Sequence, residues 1–370
     1  MADYQAAQKH FAKFSIDDVV IRDNKCIFVT LMERAYIHKQ ENSLDYEVHL
    51  ASWYPEGTVW KSVSFSNLYK PKGCFEHRGN EKKFIAIDMY GTVISQTKND
   101  PADFIMEDFK LPGPISHVRS IAGKIYVASG YRHVHRRIDV NQWEKIHGYS
   151  PEEIKTLKKQ GVNDMGFRDI DGYNESNIYA CGDSGDLWHY NGESWRMLDC
   201  PTNEDLTCLH LANDGWIYIG TNRGKVLKGR NHNWEVLSGQ TNLHEPINDI
   251  IWFKDRLYIA AGGLSGIYTI IDDKVLPLDD ISANLNQSSE ETSKRVEEVL
   301  KLAGGDKATL DKLNLPQVDI SISGAHTLST DGEYLLIACN EEVISFNGQK
   351  WSIFYSSLPP HGSGKGGSLE

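Results

Sequence analysis

The hydrophobic positions of this chain fall into short runs that return at a near-constant interval. One phrase occurs seven times, at Lys25–Val29, Lys83–Ile87, Lys124–Ala128, Asn177–Cys181, Trp216–Gly220, Arg256–Ala260 and Tyr334–Ala338. Each copy is apolar and rich in β-branched and aromatic residues, the pattern of a buried strand. An earlier apolar run precedes it in the same unit, as in Ser15–Ile21, Pro114–Ser120, Gly166–Ile170 and Pro246–Trp252. The two runs are separated by turn residues such as Ala122-Gly123, Asp214-Gly215 and Asp331-Gly332, which tolerate positive φ. A third run follows, as in Leu187–Tyr190, Val226–Lys228 and Ile267–Ile270. A fourth closes the unit on a tryptophan: Trp60, Trp143, Trp195, Trp234 or Trp351. In the sixth unit Val275 stands in the tryptophan position, and the second unit closes near Phe104–Phe109. Four short strands repeated at roughly forty residues are the mark of a propeller. The prediction is an all-β, seven-bladed β-propeller over 15–358.

The departures from this rhythm predict helices. Tyr4, Ala7, Phe11 and Phe14 have helical spacing, so 1–14 reads as a short helix capping the ring. Residues 148–164 carry Ser150-Pro151-Glu152-Glu153, a helix start with Pro at the first helical position, and Gly161 supplies the stop. The larger insertion, 281–318, holds the capping box Ser288–Glu291 and then Val296, Val299, Leu300 and Ala303 at helical spacing. It predicts a helical hairpin between blades six and seven. The Gly/Ser-rich stretch 359–370 reads as a linker tail outside the fold.

Composition narrows the function. The formal net charge is −12, which argues against a nucleic-acid partner, because such proteins need a basic face to displace counterions. It suits a basic protein partner. None of the six cysteines forms a C-x-x-C pair, and Cys26, Cys181 and Cys339 fall within the recurring phrase, where they read as small core residues. The opening Met1-Ala-Asp-Tyr-Gln shows no signal peptide and no run is long enough to span a bilayer, so no membrane association and a cytoplasmic location are expected. There is no Gly-x-Ser-x-Gly elbow, phosphate loop or His-Glu-x-x-His motif. No cofactor, no metal and no catalytic residue are expected.

The polar residues of the inner strands form the first candidate site: Asp17, Asp18, Glu76, Ser116, His117, Arg168, Asp169, Asn248, Asp249 and His326. As a ring of carboxylates and imidazoles at the channel mouth they would hold a ligand, a metal or a basic side chain. The competing reading, which is favoured, has them capping turns and satisfying backbone amides between blades. His133 and His135 alternate and share a strand face, but a metal site needs a third ligand, so they are expected on a solvated third strand. The second candidate set lies on the hairpin: Glu290, Glu291, Lys294, Glu297 and Glu298. Long inserts on a rigid scaffold serve as recognition elements or covers, and both readings stay open.

The stretch Ile178–Trp195, with glycine after the second strand and Trp at the end of the blade, resembles kelch-like and WD-repeat-like propellers. It departs from kelch in having the double glycine only at Gly262-Gly263, and from WD repeats in lacking the Trp-Asp dipeptide. The likeness covers most of the chain at the level of fold and carries over no functional residue. Tyr190-Asn-Gly-Glu-Ser-Trp195 and Phe346-Asn-Gly-Gln-Lys-Trp351 resemble divergent bacterial propellers, some of which are immunity proteins of polymorphic toxin systems. That resemblance implies a non-enzymatic protein that occludes a basic toxin domain, as in type VI secretion, using the hairpin and the acidic channel mouth. Two alternatives remain: a propeller lyase or hydrolase using His117, His326 and the channel carboxylates, or a scaffold subunit.

Overall fold

The computed structural model describes residues 10–22, 26–34, 47–54, 59–97, 103–111, 114–162, 166–237, 243–262, 266–278 and 322–357. These residues form seven four-stranded antiparallel sheets, each a meander in chain order. Blade one is β1 to β4 (Phe14–Ile21, Ile27–Glu33, Glu47–Tyr54, Val59–Ser66) and blade two is β5 to β8 (Lys72–Arg78, Glu81–Ile87, Thr92–Gln96, Phe104–Lys110). Blade three is β9 to β12 (Ile115–Ile121, Lys124–Ser129, His133–Asp139, Gln142–His147) and blade four is β13 to β16 (Phe167–Asn174, Asn177–Gly182, Leu187–Tyr190, Trp195–Met197). Blade five is β17 to β20 (Leu206–Leu211, Ile217–Thr221, Val226–Arg230, Asn233–Val236) and blade six is β21 to β24 (Ile247–Phe253, Arg256–Ala261, Ile267–Ile271, Lys274–Pro277). Blade seven is β25 to β28 (Thr327–Thr330, Leu335–Ala338, Glu342–Phe346, Trp351–Ser356). The recurring phrase supplies the second strand of every blade.

The core lies between blades. There are seven hydrophobic clusters among the described residues, one at each junction. The closing residue of each blade packs back onto the blade before it. Trp143 joins the cluster shared with blade two, Trp195 that with blade three, Trp234 that with blade four and Trp351 that with blade six. Trp60 packs across the seam onto blade seven. The two substitutes do the same: Phe104 packs at the first junction and Val275 at the fifth. An isolated sheet would leave these side chains in water, so the ring as a whole supplies the burial.

Each blade is one contiguous stretch, so the ring closes without exchanging a strand. At the seam Ile16 N–H donates to Asn340 O (2.9 Å), Ile21 N–H donates to Ser329 Oγ (3.0 Å) and Arg34 pairs with Glu341 (2.9 Å). Phe11 and Phe14 are buried there with Tyr355 and Phe354. Phe14 opens β1, so the first blade begins one residue before the predicted 15. Residues 1–9 of the proposed N-terminal helix lie outside the described residues.

The inner strands run in one direction, because successive residues of β13 bond successive residues of β17 in the same order: Asp169 meets Leu209 and Asp171 meets Leu211. The ring therefore has two unlike faces. One carries the connections from each outer strand to the next inner strand. The other carries the turns joining first to second and third to fourth strands.

One α-helix lies wholly within the described residues, α1 (Pro151–Lys159), in the connection from β12 to β13. The Ser150 side chain accepts from Glu153 N–H while the Glu153 carboxylate accepts from Ser150 N–H, and Pro151 sits in the first turn, as its sequence requires. No residue of α1 is buried. The helix described is thus not one between blades six and seven. The hairpin assigned to 281–318, with Glu290, Glu291, Lys294, Glu297 and Glu298, lies outside the described residues, as does the tail 359–370.

Candidate functional site

The inner strands enclose a channel of roughly 1870 Å³. Five of them carry a β-bulge at an equivalent place, between Ile16 and Asp18, Ile115 and His117, Phe167 and Asp169, Leu206 and Cys208, and Ile247 and Asp249. The extra residues, Asp17, Ser116, Arg168, Thr207 and Asn248, line the channel. A bulge leaves one residue out of the ladder and turns its neighbour to a new direction. Here the residue that follows is an aspartate three times, and each aspartate reaches the next blade.

Asp18 Oδ2 accepts from Gly73 N–H (2.7 Å), Asp169 Oδ2 from Leu209 N–H (2.9 Å) and Asp249 Oδ2 from Leu328 N–H (2.8 Å). Asp169 and Asp249 also hold the following amides of their own strands, Ile170 N–H (2.7 Å) and Ile250 N–H (2.9 Å). Asp171 repeats the device one turn of the pleat away, accepting from Leu211 N–H (3.3 Å). These carboxylates staple blade one to two, four to five and six to seven. The amide-satisfying reading therefore holds for Asp18, Asp169 and Asp249. At the Asp18 staple the partner must be small, since a Cβ on Gly73 would stand 2.5 Å from the Phe84 ring.

Two cations hold the staple layer. Arg119 Nη2 contacts both oxygens of Asp169 (3.1 and 2.9 Å), and its Nε donates to Ile170 O (3.3 Å). Lys72 Nζ donates to Asp17 O (3.0 Å). Burial pulls both cations down, but Asp169, Asp171 and Asp249 around Arg119, and Asp17, Asp18 and Asp249 around Lys72, raise them overall. Burial pushes Asp171 up to about 6 and Asp249 up to about 7, and it also raises Asp18. Sequence reasoning missed Arg119 and Lys72. Arg119 stands two residues after His117, on the same face of β9, which was the available signal.

Burial disfavours the charged form of both channel imidazoles. His117 Nε2 lies 3.6 Å from Asp169 Oδ1, and burial lowers its pKa to about 4. His326 Nδ1 lies 3.2 Å from Gly324 O, and burial with Lys72 lowers it as well. At about 4, His117 is a weak base and carries no proton to donate at pH 7. The channel is also not acidic: Lys70, Lys72, Lys82, Arg22, Arg119 and Arg168 line it beside Asp17, Asp18, Asp205, Asp249 and Asp331. Arg168 itself leans out, half exposed, with Nε donating to Asp183 Oδ1 (2.7 Å). Asn248 Nδ2 donates to Ala325 O (2.9 Å), a further tie between blades six and seven.

Glu76 is elsewhere. It is buried between blades two and three, where Arg137 Nη1 donates to its Oε2 and Arg137 Nη2 donates to Glu107 Oε1, each at 2.6 Å. Arg78 pairs with Glu76 from the other side (3.0 Å). The residue belongs to an ion-pair clasp and not to the channel mouth. His133 and His135 stand on the third strand as expected, but that strand is buried and not solvated. His133 Nε2 meets Tyr149 O (2.9 Å). No three His, Cys, Asp or Glu side chains converge in metal-binding geometry among the described residues. All six cysteines are free thiols, and five are buried. No helix among the described residues is long and apolar enough to cross a membrane.

Comparison with known proteins places the fold firmly. The chain is similar to the structure of YCF48 bound to D1 peptide (TM-score 0.56, 11% identity, 90% of this chain and 91% of that one). It is similar to the WD40 repeats of RRP9 (TM-score 0.55, 13% identity, 92% and 90%) and to Sqt1 of Saccharomyces cerevisiae (TM-score 0.53, 12% identity, 94% and 86%). At these identities the likeness is one of fold. No family model matches the sequence. Among curated proteins the chain is similar to the immune protein Tsi7 of Pseudomonas aeruginosa, 32% identical over 168 residues. The match covers 45% of this chain, and the chain spans about half the length of that relative (52%).

Proposed function

We propose that this chain is an immunity protein that binds a cognate toxin domain through one face of the ring and occludes the toxin's active site. The observation that carries this reading is the 32% identity to an immune protein, a similarity that a shared propeller fold alone does not require. The staples and clasps support it. They commit Asp18, Asp169, Asp249 and Glu76 to holding blades together, which favours the turns and connections of a rigid ring as the surface for recognition. The net charge of −12 suits a basic toxin, since complementary fields speed encounter and make the rate salt-dependent. On this reading the protein meets its toxin inside the cell that makes it.

The test uses the toxin encoded beside this chain's gene. Co-expression should restore growth to cells producing that toxin, and the two purified proteins should form a complex by size-exclusion chromatography and calorimetry. No rescue together with no complex at micromolar concentrations would sink the reading.

A further inference from the structure

Two turns of the ring are built alike. Asn191-Gly192 joins β15 to β16 in blade four, and Asn347-Gly348 joins β27 to β28 in blade seven. Each glycine has positive φ (95° and 94°), as a tight hairpin turn requires. Each asparagine Oδ1 accepts two backbone amides of its own turn, from Glu193 (3.0 Å) and Ser194 (2.9 Å) in one and from Gln349 (2.9 Å) and Lys350 (2.8 Å) in the other. An aromatic pair closes both hairpins, Tyr190 with Trp195 and Phe346 with Trp351. The chemistry open to an Asn-Gly pair is attack of the glycine nitrogen on the asparagine side-chain carbonyl carbon. Glycine lacks the Cβ that would obstruct the approach. The attack needs the linking peptide to rotate toward that carbon, out of the resting turn, so what holds this peptide sets the rate.

The two turns differ there. Lys254, on the β21–β22 turn of blade six, donates from Nζ to Asn347 O (2.5 Å) and so pins the peptide that carries Gly348 N. Among the described residues the Asn191 carbonyl has no such clamp; the side-chain tie in that turn runs from the Tyr190 hydroxyl to Gly192 O (2.8 Å), one peptide further on. The strands that follow also differ. β16 has three residues, with Arg196 and Met197 exposed, whereas β28 has six, with Trp351, Phe354, Tyr355 and Ser356 buried. Opening the blade-four turn therefore exposes less buried surface.

We propose that Asn191 is a site of spontaneous deamidation and that Lys254 protects Asn347 from the same reaction. The Gly192 nitrogen forms a bond to the Asn191 side-chain carbon, and the side-chain nitrogen leaves as ammonia with the proton that Gly192 N gives up through water. The cyclic imide left behind takes up one water across either of its carbonyl–nitrogen bonds. One opening yields aspartate and the other isoaspartate, whose backbone is longer by a carbon. Nothing is oxidised or reduced, and water is the only co-reactant. Either product adds a negative charge beside Glu193 on the exposed turn of blade four.

The experiment incubates the full chain at mildly alkaline pH and follows both sites by peptide mass mapping, with isoaspartyl methyltransferase labelling for the longer product. Asn191 should convert at least about ten-fold faster than Asn347, a ratio that a small difference in local opening supplies. Lys254→Met should speed Asn347 several-fold and leave Asn191 unchanged. In urea the two sites should convert at similar rates, because only the shared Asn-Gly sequence then remains. A folded chain in which Asn347 converts as fast as Asn191, or in which neither converts, overturns the proposal. An Asn347 rate that Lys254→Met does not move overturns the clamp.

Discussion

Arg137 Nη1 lies 2.6 Å from Glu76 Oε2, and the two side chains are 2% and 5% exposed. One strand comes from blade three and the other from blade two, so the pair ties adjacent blades through a charge that water does not reach. Glu107, fully buried, takes the second arm of the same guanidinium and also accepts from Ser95 Oγ (2.8 Å) and Asn141 N–H (2.9 Å). Arg137→Met would leave two carboxylates without this cation. The expected cost is about 3–5 kcal/mol, because a buried charge is stranded. Arg137→Lys should recover only part of it, since one ammonium lacks the fork that spans both acceptors. Denaturant midpoints check this; a midpoint unchanged in Arg137→Met would refute the clasp.

Asp169 is the most heavily used staple, with Leu209, Ile170 and Arg119 as partners. Asp169→Ala should destabilise by about 3–5 kcal/mol, because Arg119 loses its principal counter-charge and two buried amides lose their acceptor. Asp169→Asn keeps one oxygen acceptor and should fall between the two. Amide exchange at Leu209 is the specific readout, and it should accelerate in Asp169→Ala more than at amides of blade two.

Acid should weaken the fold. Burial holds His117, His135 and His147 down at about 4 and His210 at about 3. Unfolded histidine titrates near 6.5, so the unfolded chain binds more protons between about pH 6.5 and 4, and stability is lost as pH falls through that window. Asp171 and Asp249, raised to about 6 and about 7, take up protons in the folded state over the same range and offset part of the loss. Four imidazoles against two carboxyls leave a net loss. His147 stacks on Trp195 at 5.0 Å, so His147→Phe keeps the packing and removes one titration. Its urea midpoint should depend less steeply on pH, and an equal or steeper slope counts against this account.

Helix α1 should be thermodynamically local. Ser150→Ala removes the cap that holds Glu153 N–H (3.2 Å), which costs about 1 kcal/mol of helix stability. Because no residue of α1 is buried, the global denaturation midpoint should stay put while amides in 154–157 exchange faster. A lowered global midpoint would mean that α1 is part of the cooperative unit.

The blades were legible because their signals are local. The apolar phrase, the turn dipeptides and the closing Trp recur within each unit, and even Val275 and Phe104 could be placed by spacing alone. The fate of the candidate residues was not legible. Asp17, Asp18, His117, Asp249 and His326 do line the channel and Asp169 lies buried behind it, yet Asp18, Asp169 and Asp249 turn out to hold amides of the neighbouring blade. Glu76 sits two residues past Cys74 on the same inner strand, but it reaches a partner 61 positions away. The burial of His133 and His135 was missed for the same reason, since the face they share is covered by residues far away in the chain.

Sequence by itself determined the number of blades, the strand order within each and the start of α1, because these depend on periodicity and capping among residues close in the chain. Only the tertiary structure decided which carboxylates are free and which are staples, and which of two like Asn-Gly turns Lys254 holds. A carboxylate's role depends on whether an amide, a guanidinium or water stands opposite it. In a ring that partner belongs to the next blade, about forty residues on in a repeat of this kind.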